Sequence, residues 1–212
     1  MKYHKILLFA DSCCYFEDID LNHDKILEDL KKVKYQHMPI GKAGSIYNKE
    51  FSGVYNSFDI KNVLNEIQDK EKILTEFNKL LNFAVKEHFQ FNVKFKISTI
   101  WSNKCLPQSS GEFHRHTNYW LSGVYYPHGM VLDNFHLVFE KIFTDPFSIE
   151  TINHNNFNSE TFSVYVKRGT LLIFPAHYRH KVGFNNTKSD RYSIAFNVLP
   201  EGKLSEINSV WQ

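Results

Sequence analysis

The sequence predicts a mainly β protein with flanking α-helices, in which a β-sandwich or barrel sits behind a helical first half. Two observations carry this. Before residue 90, apolar residues recur at helical spacing, whereas from Phe91 onward they alternate with polar ones in short runs rich in Val, Ile, Tyr and Phe. Those runs are separated by Gly, Pro, Asn and Asp, the residues that tight turns require.

In the first half, "DKILEDLKKV" places Ile26, Leu27, Leu30 and Val33 along one helical face. Residues 39–58 contain Gly and carry little pattern. Asp59 then stands where an N-cap belongs, ahead of a face formed by Ile60, Val63, Leu64 and Ile67. Leu74, Phe77, Leu81 and Ala84 form a second helical stripe, separated by Lys and Glu. In the second half, "VKFKISTIW", "YWLSGVYY", "FHLVFEKIF", "FSVYVK", "TLLIFP" and "RYSIAFNV" read as strands, a pattern that suits a barrel or jelly roll. The 212 residues fit one domain, with residues 1–90 mostly helical and 91–200 forming the β core.

Composition removes several function classes. The chain is 42% hydrophobic and 16% aromatic, ample for a packed core. Lys and Arg total 25 against 23 Asp and Glu with no basic block, so there is no clear nucleic-acid patch. No run approaches the roughly 20 apolar residues of a membrane span, and "ILLFA" near the start is too short for a signal peptide. The three cysteines, Cys13, Cys14 and Cys105, have no metal-ribbon spacing, which predicts a reduced, cytoplasmic protein. Nothing indicates an oligomeric state or identifies a substrate.

The residues that could carry chemistry lie in "FHRHTNYWLSGVYYP" and in "RGTLLIFPAHYRHKVGFNNTKSDRYSIAFNV". His114 and His116 are two apart, so in a strand they share a face and form a pincer. Taken alone, histidines in a barrel are more often core or surface residues than ligands. After "LLIFP", His177 and His180 fall in a turn. Arg191 follows eleven residues after His180 and shares its strand face with Ser193. An Arg pointing into a barrel is costly unless an anion matches it, and a small dicarboxylate would do so through a bidentate pair. If the strand from His114 runs regularly, Asn118, Trp120, Ser122 and Tyr126 also face inward, making Asn118 and Tyr126 candidate co-substrate contacts. A bulge at Ser122–Gly123 would reverse the later parity. His128, His136 and His154 read as structural.

These blocks resemble the 2-oxoglutarate/Fe(II)-dependent oxygenases, and more narrowly the 2OG-Fe(II) oxygenases of marine bacteria and tailed phages. The resemblance rests on Trp101 and Asn103, on His114 and His116, on "SGVYY" at 122–126, on "GTLLIFP" at 169–175, on His180 and on "RYSIAFN" at 191–197, and it spans about residues 96–198. It implies a double-stranded β-helix, a cupin-like jelly roll. It also implies a dioxygenase, most simply a hydroxylase, that uses Fe(II), 2-oxoglutarate and O2. His114 and His180 would ligate iron, Arg191 would pair with the distal carboxylate of 2-oxoglutarate, and Ser193 would hydrogen-bond it. A phage origin, and with it a host-cytoplasm location, is implied by the resemblance alone.

The chain departs from the broader family at His116, where Asp or Glu is expected. Either His116 is the third ligand in a three-histidine site, or a carboxylate such as Glu112 or Asp133 supplies it, or iron keeps two protein ligands. A cupin-like metal-binding protein without 2-oxoglutarate turnover is the competing function. Such a protein has no use for an arginine aimed at its metal.

Overall fold

A computed structural model describes residues 12–37, 53–129, 135–141, 150–205 and 209–211. Eleven strands and two α-helices are present among them. The strands are β1 (Cys14–Phe16), β2 (Gln36–His37), β3 (Val54–Asn56), β4 (Lys94–Cys105), β5 (Leu121–Tyr126), β6 (His136–Glu140), β7 (Thr161–Tyr165), β8 (Thr170–Pro175), β9 (Arg179–Val182), β10 (Arg191–Ser205) and β11 (Ser209–Trp211). The helices are α1 (His23–Leu30) and α2 (Lys70–Phe83), the latter prolonged by a π-turn over Ala84–His88.

The strands form two antiparallel sheets, as a jelly roll requires. The major sheet runs β1-β8-β5-β10-β4-β3-β2 with β11 beside β10, and the minor sheet runs β7-β6-β9. Sequence-distant strands pair throughout, so the chain crosses repeatedly between layers. This is the double-stranded β-helix that the resemblance implied.

The central strands of the major sheet are buried on both faces, which is why "LSGVYY" and "TLLIFP" contain so few polar residues. On one face, Leu121, Tyr125, Leu171, Ile173, Ile194, Phe196 and Val198 pack against the helices. Phe77 of α2 makes this contact directly, with its ring centroid 5.4 Å from Tyr125 and 5.3 Å from Phe196. On the other face, Trp101, Val124, Tyr126, Leu172, Phe174 and Ala195 meet Phe135, Leu137 and Val166. The alternation between the two sets is the period-2 geometry of a strand. It also places Arg191, Ser193 and Ala195 on the inner face.

The helical half is thinner than its apolar stripes predict. Of the expected second stripe, Phe77, Leu81 and Ala84 are buried, whereas Leu74 is only partly so and Ile73 takes its place in the core. The stripe after Asp59 is buried at Val63, Leu64 and Ile67, yet it forms only one 3₁₀ turn over Val63–Glu66. Its cap is Asn62, whose side chain accepts the Leu64 amide at 2.9 Å, while Asp59 pairs with Gln36 instead. Asp29, buried at the end of α1, ties this segment down. Its carboxylate accepts the Gln68 amide at 3.1 Å and pairs with Lys32 at 3.0 Å and Lys25 at 3.5 Å. Burial alone would raise this carboxyl, but those partners outweigh it and hold the group below the ordinary carboxylate range.

Gly123 shows how closely α2, β5 and β10 are fitted. It lies opposite Phe196, and a β-carbon at Gly123 would stand 2.1 Å from the Phe196 ring. Gly123→Ala is therefore expected to destabilise the fold by roughly 1–3 kcal/mol through overpacking, measured by urea unfolding. Adding Phe196→Leu should restore part of that loss, and an unchanged midpoint in the single variant would refute the packing.

Candidate metal centre

His114 lies in an irregular segment that pairs with β9 outside any regular strand. The His114 amide donates to the His180 carbonyl at 2.9 Å, and the His180 amide donates back to His114 at 2.8 Å. Gly111 N donates to Val182 O at 2.9 Å, and His116 N donates to Ala176 O at 2.9 Å, so the segment is fixed on both sides of the pair. These bonds bring together side chains 66 positions apart. One ligand atom from each of His114, His116 and His180 lies within 4.8 Å of the others. The rings pack at centroid distances of 4.5 Å (His114–His180) and 5.2 Å (His114–His116 and His116–His180).

Hydrogen bonding orients two of the three rings. Nδ1 of His114 lies 2.9 Å from the Glu112 carbonyl, and Nδ1 of His180 lies 2.9 Å from the Tyr178 carbonyl. A carbonyl can only accept, so each Nδ1 carries the proton and each Nε2 presents its lone pair, the tautomer a metal requires. Burial keeps the rings neutral. It lowers His114, brings His116 down to about 4 with help from His114, and brings His180 down to about 3 with help from His114 and His116. Three converging, unprotonated imidazoles suit Fe(II) and other borderline divalent ions.

The cluster faces a cavity of about 480 Å³, also lined by Val54, Phe58, Trp101, Asn103, Tyr126 and Ser193. At its buried end the Tyr126 hydroxyl has no hydrogen-bond partner among the described residues, and burial pushes the phenol up to about 12 against the opposing pull of Arg191. Arg191 is 2% exposed, donates to the His136 carbonyl at 3.1 Å and lies 5.0 Å over the Phe135 ring. Burial holds its guanidinium below the usual arginine range, although Tyr126 and then Cys105 pull it upward. A buried cation beside a buried, unmatched hydroxyl is a cradle for a carboxylate. The donor sets at both ends therefore fit the metal and a dicarboxylate co-substrate.

Most of the expected residues meet here. His114, His116, His180, Tyr126 and Ser193 line the cavity, and Arg191 stands next to Tyr126. His180 belongs to β9 and not to a turn, whereas His177 is exposed.

Asn118 is a correction: it sits in an exposed turn with φ +69° and does not line the cavity. The regular strand assumed from His114 is interrupted at this turn, and β5 begins only at Leu121. Trp120 is likewise 52% exposed and packs on Phe91 outside the cavity. Regular alternation within β5 still turns Ser122, Val124 and Tyr126 inward, without a bulge.

Glu112 lines the cavity, but its side chain is not part of the ligand cluster, and Asp133 lies outside the described residues. His128 accepts the Tyr192 amide at 2.9 Å, in keeping with a structural role, and His154 is exposed. Val54 and Phe58 were missed because β3 is three residues long and follows a stretch without periodicity.

Residues 99–197 match a family model described as "Putative 2OG-Fe(II) oxygenase". No curated protein sequence matches the chain. Among solved structures, a prolyl hydroxylase from Trichoplax adhaerens, in complex with a peptide of the hypoxia-inducible-factor oxygen degradation domain, aligns with TM-score 0.63 and 9% identity. That alignment covers 89% of this chain and 84% of the other. HygX from Streptomyces hygroscopicus, with nickel, 2-oxoglutarate and hygromycin B bound, aligns with TM-score 0.60 and 10% identity over 95% and 86%. A prolyl-4-hydroxylase from Pseudomonas putida aligns with TM-score 0.57 and 13% identity over 88% and 92%. At such identities these likenesses concern the fold.

The buried histidines give a pH prediction for the metal-free protein. Their folded-state values lie below the unfolded value of about 6.5, so the unfolded chain takes up protons first. Stability is then full above about pH 6.5 and is lost as pH falls towards 3 to 4. Melting temperatures measured between pH 7.5 and 4.5 should fall across that range, less steeply in His180→Gln. A flat profile would contradict the burial of these rings.

Proposed function

We propose, from the premise that this chain is a 2-oxoglutarate/Fe(II)-dependent oxygenase, that it is a hydroxylase whose iron is held by His114, His116 and His180. The observation that carries this reading is the convergence of three unprotonated imidazoles in a cavity whose buried end offers Tyr126, Ser193 and the neighbouring Arg191. Bound there, Fe(II), 2-oxoglutarate and O2 supply oxidative decarboxylation to succinate and CO2, coupled to substrate oxidation.

The chain's own residues then have defined tasks. Nδ1 of His114 and of His180, hydrogen-bonded to backbone carbonyls, hold two rings in the ligating tautomer. Arg191 pairs with the distal carboxylate of the co-substrate, and Ser193 and the Tyr126 hydroxyl donate to it. Leu137, Phe174 and Val182 keep water from the buried side of the cavity. His116 takes the place of a carboxylate, so the protein adds no negative charge to the centre. A divalent ion and a doubly charged co-substrate would then balance, so the metal itself attracts the dianion more strongly than a carboxylate-bearing centre would. The cysteines are free thiols, which supports a reducing compartment such as the cytoplasm.

The test is to mix the protein anaerobically with Fe(II) and 2-oxoglutarate, record the visible charge-transfer band, then admit O2 and measure succinate. Retained metal with neither band nor succinate would leave a cupin-like metal-binding protein as the better reading. Arg191→Ala is expected to weaken 2-oxoglutarate by roughly 10- to 100-fold, the worth of a charged hydrogen bond, with a much smaller loss of iron affinity. Arg191→Lys should recover part of it. Equal losses of both ligands would make Arg191 structural. The third ligand is tested separately: His116→Ala should sharply reduce Fe(II) affinity, whereas Glu112→Ala should leave it within about twofold. The reverse ranking would move the ligand to Glu112.

A further inference from the structure

The outer part of the cavity is aromatic. Phe58 lines it while remaining 54% exposed. Its backbone is held through its own amide and through the residue before it. The Phe58 amide donates to the Asn56 side chain at 3.2 Å, and Ser57, itself buried, donates its amide to the Ser102 carbonyl at 3.0 Å and accepts the Ser102 amide on its hydroxyl at 2.9 Å. The Phe58 ring therefore stands on β4 as a fixed wall. Its centroid is 5.2 Å from that of Trp101, and the Trp101 centroid is 5.5 Å from that of His116. The indole is held in turn, because Nε1 donates to the Asn103 side chain at 3.2 Å. An aromatic surface thus runs from the solvent edge of the cavity to a metal ligand. No Lys or Arg lines the cavity among the described residues, and the exposed Glu112 is its only carboxylate.

We propose that Phe58 and Trp101 form the substrate platform, and that the substrate presents an aromatic group to it. This rests on the oxygenase reading for the chemistry, and on the cavity alone for the choice of ligand. A planar ring gains offset or edge-on contact with both side chains while its reactive position lies near His116, an interaction an aliphatic chain of similar size lacks. Charge does not add to the selection, because the exposed Glu112 carboxylate is opposed by Lys181 and Arg179, which lie 4.6 and 5.9 Å over the ring of the cavity-lining Phe113. Phe58 is the specificity-determining residue of the pair, since Trp101 is 5% exposed and also supports the core.

The experiment uses the full chain loaded with Zn(II) and 2-oxoglutarate, so that binding is read without turnover. Calorimetry compares tryptamine, an aromatic amine, with isoamylamine, an aliphatic amine of the same charge. Tryptamine is expected to bind about tenfold more tightly than isoamylamine. Phe58→Ala should remove most of that advantage, and Phe58→Tyr should keep it. Equal binding of tryptamine and isoamylamine, or tryptamine binding unaffected by Phe58→Ala, overturns the platform. The charge-transfer band with Fe(II) is recorded in parallel for each protein. Its absence would count against the oxygenase reading, while the calorimetric ranking would still decide the platform.

Discussion

The site depends on one small interaction, the two reciprocal main-chain hydrogen bonds between His114 and His180. They join the segment entering β5 to β9 of the minor sheet, and thereby align two imidazoles whose chain positions are otherwise unrelated. His116 follows because it is two residues on and its own amide is held by Ala176. The second layer of order comes from the backbone too, since carbonyls at Glu112 and Tyr178 set the ring tautomers. The donor set is therefore a property of the fold's backbone as much as of its side chains.

The major sheet supplies the other half of the site by having two different faces. One packs Phe77 and the helical stripes, and that packing is what makes the sheet rigid. The other faces the cavity with Ser193, Ala195, Val124 and Tyr126, and the strand carrying the first two begins at Arg191. The helices never touch the chemistry, yet they hold the wall on which a buried cation is mounted. Burying that cation is unfavourable by itself, and the carboxylate proposed for it would offset part of the cost.

Much of this was legible in the sequence, for identifiable reasons. Runs rich in β-branched and aromatic residues announced β4, β5, β8 and β10, and strand parity alone placed Ser193 beside Arg191. Order broke down where elements are short. β1, β3 and β9 have three or four residues, too few to show a period, so His180 read as a turn residue and Phe58 was not singled out. Asn118 was misplaced because parity was carried across a turn. Asn tolerates the left-handed conformation better than most residues, and that tolerance was the available hint that the strand does not run through it. The apolar stripe after Asp59 was correctly assigned to the core, yet burial does not decide between an α-helix and a single 3₁₀ turn.

The three histidines also matter to the chain as a polymer. An ion shared by residues 114 and 180 would act as a removable cross-link across that span, tying the irregular 111–116 segment to the minor sheet. Such a link restricts the unfolded chain more than the folded one, in the manner of a long-loop staple. Metal supply would then set mechanical integrity as well as chemistry. Without the ion, the first part of the barrel to loosen would be the edge that carries its ligands.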